Sequence, residues 1–576
     1  MCSLIKVLDK FQLGENNHIE LKWNTESFEE LMTHFYFQLV RTNDMAELRN
    51  KFKLLLGFVK YKADLLLLAK LTMNVRDLNG KGERQLAYMM LLEWWNLQPE
   101  YAYYIFETMM LNKDQVEPYA SWKDIKYLSK YIKNTTCNED HPFINWLVEL
   151  TNHHLKIDWD NLIAKKNTKI SLLGKWIPRE KSQFSWFHTK LVKSMFSRYY
   201  ETANTKTQQK AADRKARKEY RLICSTINKF LDTTQIKQCN GNWQNIDPNT
   251  VTSITFSKQK QAFFNQKLVN RKLVERSCAE DRKQCKSNFT GYLNEKIHKN
   301  ETIKGKRCSI YDFVKDAIGV TLIEDSDKEE KLLKDTINSQ WENNSKQNCS
   351  LNNMIPLVDT SGSMECDNCQ PLYNAIGLGI RISEKTSPAF RNRIMTFSAD
   401  PTWIDLDGEN NFCDKVQKVR TAKWGVNTDI YKAFHLILAA IGKANMSTQE
   451  VEHLTLVILS DMQIDNSCKH TYDSISLFEN IKSLFHEKGL EVCGRPYSPP
   501  NILFWNLRKT TGFPSQTTEK NVTMLSGFNP MLLNTLCNKG FEELKKCTPY
   551  TMLLDLLNRK RYDNINLIAN INPLML

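Results

Sequence analysis

The sequence predicts a multidomain chain of two unlike parts. Residues 25–323 form an all-α region of helical-repeat or solenoid-like character, and residues 351–576 form an α/β domain on a doubly wound, mostly parallel sheet. A charged linker at 324–350 joins them. Three observations carry this. A length of 576 residues exceeds what one ordinary core accommodates. The first part is a succession of stretches rich in Leu, Ala, Lys and Phe, interrupted by Gly and Pro. The last part alternates short apolar runs with helix-like segments, the pattern of parallel strands covered by helices.

In chain order, Leu31 to Val40 starts the first helix, and Met45 to Met73 is a long helix-forming stretch with few breakers. Asn79-Gly80-Lys81-Gly82 ends it. An apolar run from Leu86 to Trp95 follows. Pro99 then marks a boundary before Tyr101 to Leu111. Ser121 is positioned to cap a helix over Trp122 to Ile132, with Asp124 in its first turn. Helix pairs with short connections fit an α-solenoid, although no fixed-period repeat is visible.

Charge is unevenly placed. The chain carries a net +14. Residues 151–300 hold 30 Lys and Arg against 12 Asp and Glu, an excess of +18, whereas 351–576 balance at 23 of each. A concentrated positive region faces either a polyanion or plain solvent. Its best phosphate-contacting candidates are Arg214, Arg217, Lys218 and Arg221, which share one face of a helix at i, i+3, i+4 and i+7. Seven of the ten residues from Asp325 to Lys334 are charged, so Glu324 to Ser350 reads as a linker or a surface helix.

The α/β part is expected to run as strand Asn352–Val358, helix Leu372–Ile382, strand Arg393–Ser398, helix Ile430–Ile441, strand Leu454–Leu459, helix Ser474–His486, then strands at Ile502–Leu507 and Val522–Leu525. The first strand runs into Pro356-Leu357-Val358-Asp359-Thr360-Ser361-Gly362-Ser363-Met364. At the C-terminal edge of a parallel strand the chain turns, and alternate oxygens can converge on one point. A carboxylate and two hydroxyls are hard donors suited to Mg²⁺ or Mn²⁺, not to zinc. The loop before Ile430 can add Thr428, and the strand Leu456–Ser460 ends on Asp461. Asp429 and Asp465 are nearby acids with a supporting or surface role. The competing explanation of Asp-x-Ser-x-Ser is a loop that merely caps a helix.

Composition excludes other classes. Hydrophobic content of 41% and charged content of 25% describe a globular chain. No apolar run is long enough for a membrane span, and the first residues lack a signal-peptide core, so a cytoplasmic location is expected. Fifteen scattered cysteines argue for free thiols. The single close pair, Cys366 and Cys369, lacks the second pair a zinc site needs, so it reads as structural or incidental. No His-Glu-x-x-His or phosphate-binding loop is present, and no nucleophile–base pair is visible.

Asp359, Ser361, Ser363, Thr428 and Asp461 match, in order, the metal-ion-dependent adhesion site of the von Willebrand factor A superfamily, which the C-terminal part resembles. By that resemblance Ser361, Ser363 and Thr428 would contact the metal directly in a liganded form, while Asp359 and Asp461 act mainly through bound water. Asn74-Val75-Arg76-Asp77, Gly80-Lys81-Gly82-Glu83-Arg84, Tyr119-Ala120-Ser121-Trp122-Lys123-Asp124 and Ser171-Leu172-Leu173-Gly174-Lys175-Trp176-Ile177-Pro178 resemble a narrower family. Tyr220-Arg221 and Trp243-Gln244-Asn245-Ile246-Asp247 continue the series. That family is an uncharacterised domain-of-unknown-function group of plants, fungi and giant viruses of the mimivirus type, which would place a viral member in host cytoplasm or virion. The layout is also similar to the Ro (TROVE) ribonucleoproteins, in which a helical-repeat ring binds RNA. Within these motifs Arg76, Asp77, Glu83 and Arg84 read as an ion-pair network fixing an inter-helix loop, and Trp122 and Trp176 as core anchors.

The expected function is a non-enzymatic intracellular scaffold, with RNA on the basic helical region and an acidic protein ligand on the metal. A protein-interaction module with no nucleic-acid role is the alternative, and a metal-dependent hydrolase a more distant one.

Overall fold

The computed structural model describes residues 11–13, 19–23, 27–111, 117–166, 169–323, 327–397, 401–422, 430–463, 477–537 and 541–570. Two short strands, β1 (Phe11–Leu13) and β2 (Ile19–Leu21), form an antiparallel hairpin ahead of the helices. Helices Phe28–Gln38, Ala46–Gly57, Lys62–Arg76, Arg84–Leu97, Pro99–Met110, Trp122–Thr136 and Pro142–Ile163 then succeed one another. The expected long helix over Met45–Met73 is two helices. Its break at Phe58–Tyr61 is held by Asp64, whose carboxylate accepts the Tyr61 amide at 3.2 Å and starts the second helix. Ser121 caps its helix as expected, and Asp124 accepts the Ser121 amide at 2.8 Å.

The helical region is not purely helical. Strands β3 (Gln266–Val269) and β4 (Lys272–Glu275) form a hairpin inside it. Asn270 and Arg271 both take positive φ, the two-residue turn whose twist matches paired strands.

Six strands make the C-terminal sheet: β5 (Met354–Asp359), β6 (Arg393–Phe397), β7 (Thr402–Asp405), β8 (Thr455–Ser460), β9 (Asn501–Asn506) and β10 (Val522–Ser526). Their order is β10-β9-β8-β5-β6-β7, parallel throughout except for the edge strand β7. Every residue of β5, β8, β9 and β10 is buried, as sheets covered on both faces require. Alternate residues point to opposite faces. Leu357, Ile458, Ile502 and Phe504 pack with Ile430, Phe434 and Phe485, from the helices Ile430–Lys443 and Leu477–Cys493. Val358, Leu459, Leu503 and Trp505 join a core that runs without interruption into the N-terminal helices.

The segment expected as a charged linker is the helix Asp327–Ser345, and it is packed into the body. Leu333, Ile337 and Trp341, spaced by four residues, are buried, and Trp341 stacks on Phe412 at 3.9 Å. Asn344 and Asn348 accept from the fully buried Arg381 guanidinium at 3.0 and 2.6 Å.

The two regions are interlocked. Gly80 lies so close to Asn74 that a β-carbon would sit 2.2 Å from its carbonyl oxygen, and Gly82 takes a positive φ. This turn presents Lys81, fully buried, whose ammonium donates to Tyr36 O (2.9 Å), Leu39 O (3.1 Å) and Ser526 O (3.0 Å), tying two helical segments to β10. After the helix Pro549–Leu557, the segment Lys560–Asn570 returns to the helical region. There Arg561 forms two bonds to Asp77 (2.5 and 2.8 Å), and Tyr562 donates to Asp77 at 3.0 Å. The expected ion-pair network among Arg76, Asp77, Glu83 and Arg84 is therefore a set of long-range pairings instead. Arg76 grips Asp124 (2.9 and 2.7 Å), Asp77 takes Arg561, Glu83 takes Arg41 (2.9 Å), and Arg84 lies over the Tyr127 ring. Buried carboxylates persist only when paired, which is why each reaches across the fold.

Candidate metal centre

β5 and β8 are adjacent and parallel, with Val358 opposite Leu459. Both strands stop at the same edge, so Asp359, Ser460 and Asp461 emerge together where the apolar runs end. Asp359 and Asp461 are fully buried. The turn after Asp359 folds back on it: the Ser361 amide donates to Asp359 Oδ1 at 2.9 Å. Ser460 Oγ donates to Asp359 Oδ2 at 2.5 Å. Ser361 Oγ and Ser363 Oγ lie 3.1 Å apart, and the Ser363 hydroxyl is near enough to Asp461 to favour its charged form. Four of the five predicted metal ligands are thus gathered in one place. Thr428 lies outside the described residues, as do Asp429 and Asp465.

The two buried carboxylates are both disfavoured in their charged forms. Burial pushes the Asp359 carboxyl from 3.8 up to about 7, and the neighbouring Asp461 charge pushes the same way against the hydrogen bonds from Ser361 and Ser460. Burial also raises Asp461, opposed by the Gln463 amide, the Ser363 hydroxyl and Arg508. The donors fit Mg²⁺ or Mn²⁺, being hard oxygens throughout. A bound divalent ion would neutralise the carboxylate pair and offer an open position to an outside oxygen.

Two contributors escaped sequence analysis. Ser460 precedes Asp461 directly, but only the β5–β8 register shows that its hydroxyl belongs to Asp359. Arg508 follows β9, the next strand over, and its Nη1 stands 3.4 Å from Asp461 Oδ2. Nothing local in the sequence marks it. Arg508 also lines a cavity of 310 Å³ between the sheet edge and the helical region, shared with Arg41, Glu47, Asp367 and Lys509.

The predicted phosphate-contacting residues sit on the helix Lys206–Leu231, which buries Ala212, Ala216, Tyr220 and Ile227. Arg214, Lys218 and Arg221 are exposed on the rest of its surface. The face is partly neutralised within the fold: Arg217 pairs with Asp213 at 2.7 Å, and Arg221 with Glu180 at 3.5 Å. Trp122 is half-buried and packs against the core as expected, whereas Trp176, the last residue of the helix Leu173–Trp176, is half-buried beside lysine ammoniums instead of anchoring the core.

Parts of the chain are similar to known proteins. Residues 353–565 match a family described as a domain of unknown function, DUF7788, and residues 129–271 match another, DUF2828. A solved structure, the RO (RSR) protein of Deinococcus radiodurans, aligns over 88% of this chain and 98% of its own at 13% identity, with a TM-score of 0.34. An uncharacterised protein, L728, of Acanthamoeba polyphaga mimivirus is 27% identical over 504 residues, which is 85% of this chain and 78% of that protein. By sequence, then, this chain is similar over most of its length to a giant-virus protein and carries segments like those of two uncharacterised domain families.

Proposed function

We propose that the chain is a non-enzymatic binding scaffold whose sheet-edge site, of the von Willebrand factor A type, holds Mg²⁺ or Mn²⁺ and through it a carboxylate of an acidic protein ligand. The observation that supports this most is the convergence of Asp359, Ser361, Ser363 and Asp461 at the ends of two adjacent parallel strands, with both carboxylates buried. Once loaded, such a site has its carboxylate pair neutralised but keeps an open coordination position, so an acidic side chain of a partner completes it. The test is calorimetric titration of the full chain with MgCl₂. Saturable binding is expected, with loss in Asp359→Ala. Partner capture that survives EDTA would defeat the proposal.

A second activity, RNA binding by the helical region, is favoured by the +18 concentrated in residues 151–300. It predicts affinity that falls steeply with salt. Binding that is absent at low salt, or partner capture insensitive to nuclease in every respect, would leave the protein-interaction module alone. A cytoplasmic site of action accords with either activity. Among the described residues no helix is long and apolar enough to cross a membrane.

A further inference from the structure

The helix Trp122–Thr136 carries Lys123, Lys126, Lys130 and Lys133 at spacings of three, four and three, so all four project from one face. Against that face lie aromatic rings from the segment that follows. Lys126 Nζ is 5.2 Å from the Trp176 ring and 5.6 Å from Phe184; Lys130 is 5.7 Å from Phe184; Lys133 is 4.7 Å from Trp186. Lys123 stands 5.1 Å from Tyr127 and 5.3 Å from Trp176, and Lys175 is 5.5 Å from the Trp176 ring. The four lysines of the helix, together with Trp176 and Trp186, are all half-exposed.

Unlike the helix at 206–231, this face has little internal neutralisation. Lys126 donates to the Trp176 carbonyl at 3.0 Å and Lys130 to the Gln183 amide oxygen at 3.0 Å, both uncharged acceptors. Lys133 pairs with Glu139. Asp124, at the start of the same helix, is turned inward and engaged by Arg76.

We propose that this lysine–aromatic stripe is the surface on which the chain holds single-stranded RNA, with phosphates along the lysines and bases against the Trp176 and Trp186 rings. The proposal rests on the RNA-binding activity proposed above and names its location. Ten residues of helix at 1.5 Å each span about 15 Å, or about four nucleotides at the 3.4 Å rise of a stacked strand. Cations that track a backbone beside aromatic faces suit unpaired bases; a duplex hides its bases and leaves the rings no partner.

Burial first, and neighbouring like charges second, disfavour the charged lysines of the stripe. Burial lowers Lys126 to about 8, with Lys123 adding to the shift. Lys123 is lowered too, first by burial and then by Arg84 and Lys258. An anion laid across the stripe relieves that repulsion. Lys258 lines a neighbouring cavity of 480 Å³ together with Trp243, Arg276, Lys315, Asp312 and Asp316.

The test uses the full chain and fluorescence anisotropy with fluorescein-labelled oligouridylate of 12 residues, oligothymidylate of the same length and a blunt RNA duplex, at low and moderate salt. The expected result is preference for the single strands. Lys123→Gln with Lys130→Gln should weaken oligouridylate binding about tenfold and flatten the salt slope by about 1.4, at 0.7 for each phosphate left without its cation. Arg214→Gln with Lys218→Gln should change either quantity less than twofold. Trp176→Leu should weaken binding without altering the slope, separating stacking from charge. If the wild type binds none of the probes, both the RNA activity and its location fail. If it binds but the stripe variants bind as well as wild type, or the 214/218 variant loses more, only the location fails. Tighter binding to the duplex, or to phosphatidylserine vesicles in place of RNA, also overturns it.

Discussion

Replacing Asp461 with Asn should stabilise the metal-free protein and abolish its response to Mg²⁺. The substitution keeps the shape and the oxygen that accepts the Gln463 amide at 3.2 Å, but removes one of two buried charges. Asp359 stands at about 7 instead of 3.8, and a difference of about 3, at 1.36 kcal/mol per pH unit, corresponds to about 4 kcal/mol against its ionisation in the fold. Burial is the larger cause and the Asp461 charge the second, so neutralising Asp461 returns about 1–2 kcal/mol of this at pH 8. In a chain of 576 residues that is a rise in melting temperature on the order of 1 °C. The sign with pH follows from the raised carboxyl. Its contribution to stability is fully present below pH 3.8 and is lost as pH rises through about 7. The advantage of the variant in EDTA should therefore shrink between pH 8 and pH 5. In saturating Mg²⁺ the order reverses, since a ligand at 100 times its dissociation constant stabilises only the wild type, by about 2.7 kcal/mol. Differential scanning calorimetry with EDTA or MgCl₂ at both pH values reads all of this. A variant less stable than wild type in EDTA, together with a wild type indifferent to Mg²⁺, would refute the buried-charge argument.

Other substitutions probe the surroundings. Arg508→Gln removes a guanidinium 3.4 Å from Asp461 that competes with a metal for the same charge, so Mg²⁺ should bind several-fold more tightly by calorimetry. Lys81→Met takes the ammonium from the buried carbonyls of Leu39 and Ser526, while Tyr36 O keeps the Ser526 hydroxyl at 2.7 Å. At roughly 1–3 kcal/mol per orphaned acceptor, a loss of about 3–5 kcal/mol is expected in urea denaturation, and a loss below 1 kcal/mol would contradict the described clamp. His34, stacked on Phe513 at 3.7 Å, is held down to about 3 by burial and by Lys51. Its contribution is present above pH 6.5 and is lost as pH falls from there toward 3, amounting to about 2 kcal/mol at pH 5. His34→Phe should accordingly flatten the acid limb of the stability profile.

What the sequence made legible was local. The apolar run ending in Asp-x-Ser-x-Ser announced the end of β5, and Asp461 was visible as the acid closing another such run. Ser121 and Asp124 announced a helix start because a capping box lies within four residues. What depended on strand order was hidden: Arg508 reaches Asp461 only because β9 lies beside β8. The helix Asp327–Ser345 was obscured by its charged surface, although Leu333, Ile337 and Trp341 keep the four-residue spacing of a buried stripe. The basic residues at 214–221 drew notice by density, whereas Asp213 and Glu180 decide how much of that charge faces outward. The more widely spaced lysines of the helix Trp122–Thr136 meet their aromatic partners through packing across 50 residues of chain, which composition does not register.

The grip of Arg561 and Tyr562 on Asp77 has a consequence for biosynthesis. These partners are separated by 484 and 485 residues. At about 5–20 residues per second, a ribosome takes about 25–100 s to supply the arginine after the aspartate has emerged. During that interval the turn around Gly80 exists without its guanidinium, and Lys81 waits for a strand not yet made. Nascent chains halted before residue 561 should therefore be cleaved by protease near this turn and depend on chaperones, whereas released full-length chains should resist. Expressing the helical half by itself would leave the same carboxylate unpaired, so the two architectural units, though unlike, are expected to mature together.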